Sequence, residues 1–231
     1  MKRFWGEVGV AEAAGGWQVT LDGRGVKTPG KRAQIVPTRA LALAMAAEWA
    51  GQGEEIDPTR FFFRDMADYA IDMVCADPAI ARSAILPFAG TDTLCYRAEA
   101  GEALHRRQEQ VWEPLLTAAE ARFDIRFERI SGIIHRSQPE ATLARLDGVV
   151  AAFDPFALAA LQTLTSLAAS LVIGLAALEP GADAEALWAA ANLEEDFQAE
   201  LWGNDADAQA LRARRLGEFS RAMDFVRLVR G

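Results

Sequence analysis

Residues 155–178 read PFALAALQTLTSLAASLVIGLAAL, 24 positions without a charge. Their reading decides the fold. One helix of that length can span a bilayer. Gln162, Thr163, Thr165, Ser166 and Ser170 are nevertheless frequent for a lipid-facing surface, and no basic cluster flanks either end. The segment is therefore read as a buried central helix. Asp154-Pro155 opens it, an N-cap residue followed by proline in the first turn. Glu179-Pro-Gly181 closes it. Ser166, Ser170 and Gly174 recur at helical spacing as a ridge on which a neighbouring helix can pack closely.

Downstream, Asp183 starts the next helix, which continues into residues 193–215, LEEDFQAELWGNDADAQALRARR. With Leu187 at zero and a step of about 100° per residue, Ala191 falls near +40°, Glu194 near −20°, Gln198 near +20° and Leu201 near −40°. Glu194 thus takes a place on the apolar stripe. A charge there is costly unless it is paired or meets a partner. Pairing with Arg212, Arg214 or Arg215 on the following helix is one solution. An apolar groove that receives a group from another protein is the other, with Trp188, Phe197, Trp202 and Arg215 as residue types that anchor protein contacts. Gly203 ends the helix, and Asn204 or Asp205 can cap its successor.

Upstream, residues 3–37 read as β. Residues 17–21 alternate with period two, Asp22-Gly-Arg-Gly25 supplies turn residues, and residues 26–29 form the return strand. Residues 34–37 are a further short strand. Thr38 caps an alanine-rich helix to about Gly51 with Leu41, Met45, Glu48 and Trp49 at helical spacing. A polar connection follows, then a helical pattern from Thr59. Asp77-Pro78 starts another helix that ends near Pro87. Residues 93–97 are β-like and suited to the first sheet. Residues 102–122 are helical, with a break or kink near residue 113 at Pro114. Residues 139–153 form a further helix. The expected fold is α+β in two domains: a small β-rich N-terminal domain with one helix at 1–56, which recruits a strand near 92–97, and a larger all-α helical domain at 57–231.

Composition narrows the function. The net charge of −9 disfavours nucleic acid and anionic membrane as partners, because both reward a basic surface. Cys75 and Cys95 make no disulfide framework, which suits a reducing compartment. The N-terminal residues MKRFWGEVGV lack the apolar core of a signal peptide. A cytoplasmic bacterial protein, or a processed chain in the equivalent mitochondrial matrix, is expected.

Catalytic patterns fail. Gly25-Val-Lys-Thr-Pro-Gly30-Lys31 has the spacing of a phosphate loop, but Arg32 stands where Ser or Thr should hold magnesium, and no helix follows. His105 and His135 have no i+4 partner for a metal. The acidic run at 194–207 permits a carboxylate hydrolase, although a solvated face explains most of it. No catalytic residue, cofactor or metal is expected. The alternative is a small-molecule enzyme using the acidic cluster 194–207, or a nucleotide binder using the loop 25–32.

A set of short motifs keeps its order along the chain: Val19-Thr-Leu-Asp22 with Lys27-Thr-Pro29, Ala47-Glu-Trp49, Asp92-Thr-Leu-Cys-Tyr-Arg97, Trp112-Glu-Pro114, Leu193-Glu-Glu-Asp-Phe-Gln198 and Trp202-Gly-Asn204. In these the chain resembles the assembly chaperone family for the α subunit of the F(1) sector of ATP synthase, found in mitochondria and α-proteobacteria. Residues 123–140 and those after Leu216 match poorly. The resemblance implies a non-enzymatic protein that binds the unassembled α subunit and shields the surface that later packs against β subunits. It also implies importance for the first acidic residue of the L-E-E motif, here Glu194. The partner-binding residues expected are Glu194, Glu195, Gln198, Trp202 and Arg215, on a monomer that neither binds nucleic acid nor inserts into a membrane.

Overall fold

The structure is a computed structural model that describes residues 1–132, 136–203 and 205–231. His135 and Asn204 lie outside the described residues. The chain forms two compact units: Met1–Ile80 with Asp154–Ala160 and Asp224–Gly231, and Ala81–Phe153 with Leu161–Met223. Residues 57–80, read from sequence as part of the helical domain, group with the sheet.

In the first unit β1 (Val8–Ala13), β2 (Gly16–Leu21), β3 (Arg24–Gly25) and β4 (Ile35–Val36) form one antiparallel sheet, in which β2 pairs with all the others. Asp22 and Gly23 have φ of 48° and 75°. Positive φ at both central residues is the turn whose twist matches that of its flanking strands. The turn is thus two residues long, and the return strand starts at Arg24. Asp22 is held by its own carboxylate, which accepts the N–H groups of Gly6 and Glu7 at 3.0 and 2.8 Å.

Thr38 caps α1 (Arg39–Ala50), accepting the Leu41 N–H at 3.1 Å. Leu41, Met45 and Trp49 are buried at i, i+4 and i+8, the spacing of one helical face. Glu48 shares that side for a different reason. Its carboxylate accepts the N–H groups of Phe62, Phe63 and Arg64 at 2.7–2.9 Å and so caps α2 (Phe62–Tyr69) from another element. Burial raises its pKa even against these three donors.

The second unit is almost wholly helical. Its elements are the end of α3 (Ala79–Ile85), then α4 (Pro87–Gly90), β5 (Tyr96–Arg97), α5 (Ala103–Phe123), β6 (Ile130–Ser131) and α6 (Glu140–Ala151). There follow parts of α7 (Pro155–Ala168) and α11 (Ala206–Arg230), with α8 (Leu171–Ala177), α9 (Ala184–Ala191) and α10 (Leu193–Trp202) between them. A small N-terminal sheet region and a larger helical region are the expected α+β class. The strand near 92–97 is a departure. Residues 93–95 make a 3-10 turn, and β5 pairs in parallel with β6 inside the helical unit rather than joining the first sheet. Pro114 does not break α5, which runs through it. Trp112 and Leu116 on either side are fully buried, and that burial outweighs one missing backbone bond.

The uncharged stretch is two helices, not one. Ala169 takes φ of 49°, and Ser170 becomes the N-cap of α8, accepting the Ile173 N–H at 3.0 Å. The expected ridge is broken accordingly. Gly174 still serves close packing: a Cβ there would lie 2.3 Å from Thr165 Oγ1 of α7. Asp92 ties the corner together. Fully buried, it accepts the N–H groups of Leu94 at 3.1 Å and Val172 at 2.9 Å, together with the Ser170 hydroxyl. Among the described residues no helix is long and apolar enough to cross a membrane.

Candidate functional site

The stretch 184–202 is not one helix. Asn192, at φ −109° and ψ 23°, separates α9 from α10, so a helical phase carried from Leu187 across it fails. Leu193 is buried, but Leu201, placed by phase on the apolar stripe, is 60% exposed and Trp202 is 78% exposed. Trp188 is a core residue against Phe219, ring centroids 5.6 Å apart, and not a surface anchor. Gly203 ends α10 with φ of 93°, and Asp205 starts α11 by accepting the Asp207 N–H at 2.9 Å.

Helix α5 grips α9 and α10 at three points. Trp112 Nε1 donates to the Ala190 carbonyl at 2.8 Å. Gln108, with no exposure, accepts the Ala98 N–H at 2.8 Å and donates to Glu194 Oε1 at 2.7 Å. Arg107 forms two bonds to Glu200 at 2.6 and 2.8 Å, a bidentate geometry. Glu194 is half-buried, as its cost in sequence suggested. Among the described residues no arginine of the following helix pairs with it, and its partner within the chain is the Gln108 amide. Burial raises its pKa, the Gln108 N–H opposes this, and the Glu195 charge adds to it. Arg212 instead pairs with Asp196 at 2.6 Å. Local phase could not reveal Gln108, 86 residues away.

This geometry makes a prediction. Glu194→Ala removes the acceptor of a buried amide, and should cost about 1–3 kcal/mol of stability in urea denaturation. An unchanged midpoint would mean that Gln108 finds another partner.

The other four expected residues come together. Glu195, Gln198, Trp202 and Arg215 line a groove of about 420 Å³ between α10 and the first turns of α11, completed by Leu211 and Arg212. Glu194 does not line it. The Asp196–Arg212 pair spans the two helices, while Arg214 lies by Glu218 at 3.7 Å. The groove thus has an apolar lip, Trp202 with Leu211, and an exposed guanidinium at Arg215 that makes no salt bridge among the described residues.

The remaining polar candidates are explained within the chain. In the loop 25–32 the place of an anion is filled by Asp72: its carboxylate accepts the Thr28 hydroxyl at 2.7 Å and the Gly30 N–H at 2.8 Å. His105 does have an i+4 partner, Glu109, at 3.4 Å. Arg97 is buried against the Trp112 ring and bonded to Glu113 at 3.2 Å. Glu113 also meets Arg129, and that bond, with the nearby guanidinium charges, lowers its pKa against burial.

Comparison with known proteins agrees with this architecture. A family described as ATP12 chaperone protein matches residues 2–120. The crystal structure of Atp12 from Paracoccus denitrificans is 39% identical and superposes with a TM-score of 0.93, covering 99% of this chain and 98% of that one. The Atu1473 protein of Agrobacterium tumefaciens is 38% identical with a TM-score of 0.92, covering 98% and 85%. Protein atp12, mitochondrial, of Schizosaccharomyces pombe is 25% identical over 223 residues, 91% of this chain and 76% of its own length. With a family match over more than half its length and a shared fold along nearly all of it, the chain belongs to the ATP12 chaperone family.

Proposed function

We propose that this chaperone serves ATP synthase assembly by binding the unassembled α subunit of the F(1) sector and covering the face that later packs against β subunits. No catalysis enters this reading. The observation that carries it is the groove between α10 and α11, with Trp202 almost fully exposed at its lip. An exposed tryptophan beside Leu201 and Leu211 is an apolar patch with a cost in water. Tryptophan and arginine are also the residues that most often dominate protein contacts. Glu195, Gln198, Trp202 and Arg215 are the proposed contact residues, and Glu194 acts one step behind them by fixing α10 on Gln108. The proposed compartment is the bacterial cytoplasm, the equivalent of the mitochondrial matrix, and the working form a monomer.

Co-expression tests this. The α subunit should stay in solution and co-purify with the chain when both are made, and aggregate when it is made alone. Equal aggregation with and without the chain, and no complex, would sink the proposal. Arg215→Glu should weaken capture by about tenfold, as loss of one exposed interface charge does.

A further inference from the structure

The first unit carries a second cavity, of about 630 Å³, that the groove on α10 and α11 does not use. Part of its wall is apolar: Leu21 and Trp49 are buried, and Val26 is half-buried. Behind Trp49 the Trp5 ring packs edge-on with centroids 5.0 Å apart and the Phe61 ring packs tilted at 4.6 Å, while Phe4 packs edge-on against Trp5 and is 68% exposed at the rim. That volume suits one or two side chains.

The rim is cationic. Arg24 and Lys27 are exposed on it, and neither forms a salt bridge among the described residues. The carboxylates nearby are already engaged, Asp72 by the Thr28 hydroxyl and the Gly30 N–H. Asp22 takes the Gly6 and Glu7 N–H groups. Asp68 takes the Gln34 amide at 2.5 Å and faces Arg64 at 3.8 Å. Residues 22–32 hold four cations against one carboxylate, in a chain of net charge −9. A basic rim on an acidic protein selects an acidic partner.

The backbone argues for a peptide. β3 is the end strand of its sheet path, and the Val26 N–H bonds to the Val19 carbonyl at 2.9 Å. Antiparallel alternation then turns the N–H and C=O of Gly25, which also lines the cavity, away from β2. An outward strand edge is where an extended segment adds to a sheet.

We propose that this cavity is a second docking site, for an extended client segment that alternates acidic and large apolar residues. The apolar side chain enters beside Trp49, the carboxylates meet Arg24 and Lys27, and the main chain pairs with Gly25. The inference rests on the reading of the chain as a client-binding chaperone, and concerns a different surface.

The test is a titration of the full chain, labelled with ¹⁵N, with three probes: Ac-EVDFEVD-NH2, its lysine counterpart Ac-KVKFKVK-NH2, and inorganic phosphate. The acidic peptide should saturably shift the amides of residues 24–28 and the Trp49 indole signal at or below about 1 mM. Arg24→Glu with Lys27→Glu should weaken it at least about tenfold with the remaining spectrum unchanged. Trp202→Ala should leave it intact. No saturable shift at that concentration, or an equal response to the lysine peptide, overturns the proposal. Saturation of the same signals by phosphate alone also overturns it and assigns the site to small anions. No peptide binding by the parent chain, with capture of the α subunit retained, would refute this site and not the proposed function; peptide binding by the parent chain without capture of the α subunit would refute only the proposed function.

Discussion

Asp92→Ala should lower stability by about 2–4 kcal/mol, and by more at pH 5 than at pH 7. The side chain is fully buried and serves the backbone N–H groups of Leu94, Leu171 and Val172 and the Ser170 hydroxyl. Each buried donor left bare costs about 1–3 kcal/mol, and three of them open the 3-10 turn at 93–95 and α8. Removal of a buried charge offsets part of this at neutral pH. Burial is the largest influence on Asp92 and pushes its carboxyl from 3.8 up to about 6. A raised folded-state value means that the native protein holds its proton more tightly. The associated stability is present below 3.8 and is lost as pH rises through about 6. The parent should therefore gain stability as pH falls from 7 to 5. Asp68, also raised to about 6 by burial, acts in the same window in both proteins and cancels in the difference. Urea denaturation at the two pH values is the measurement. A variant that loses less at pH 5 would show that Asp92 is not held as its surroundings imply.

The second large effect is on binding. Under the proposed function, Trp202→Ala should weaken capture of the α subunit by at least about 30-fold, the roughly 2 kcal/mol of a dominant interface residue. Stability should not change, because the side chain is 78% exposed and makes no core contact to lose. Titration calorimetry paired with a thermal melt separates the two quantities. Undiminished affinity would move the client surface away from α10. An equal fall in affinity and melting temperature would make Trp202 structural.

Local chemistry was legible in the sequence, and pairing across distance was not. Thr38, Asp154 and Asp183 cap helices as their types suggest, since a cap needs only its own next residues. The hairpin at Asp22-Gly23 is legible for the same reason. The β5–β6 pair is two residues against two, Tyr96 with Ile130 and Arg97 with Ser131, too short for a period to show. The break at Ala169 was hidden because alanine rarely accepts positive φ; Ser170 ahead of an apolar run was the available signal. In the candidate site, Glu194 stood out correctly as a carboxylate in a costly place. Its partner did not, because α9 ends at Asn192 and a helical phase does not carry across that break. Trp202 was legible as an anchor type, but its exposure depends on where α10 ends.

The division of the chain has a consequence for its birth on the ribosome. The first unit opens with Met1 yet is closed by Asp224–Gly231. There Phe225 and Val226 are buried, Phe225 lies 6.4 Å from the Phe156 ring, and the Thr38 hydroxyl donates to the Leu228 carbonyl. The β-hairpins can form early, but their core cannot be sealed until residues 224–231 have emerged. Vectorial synthesis therefore cannot finish this protein piece by piece. A nascent chain stalled before residue 224 should remain open to protease throughout residues 1–80, although every strand it needs is already made.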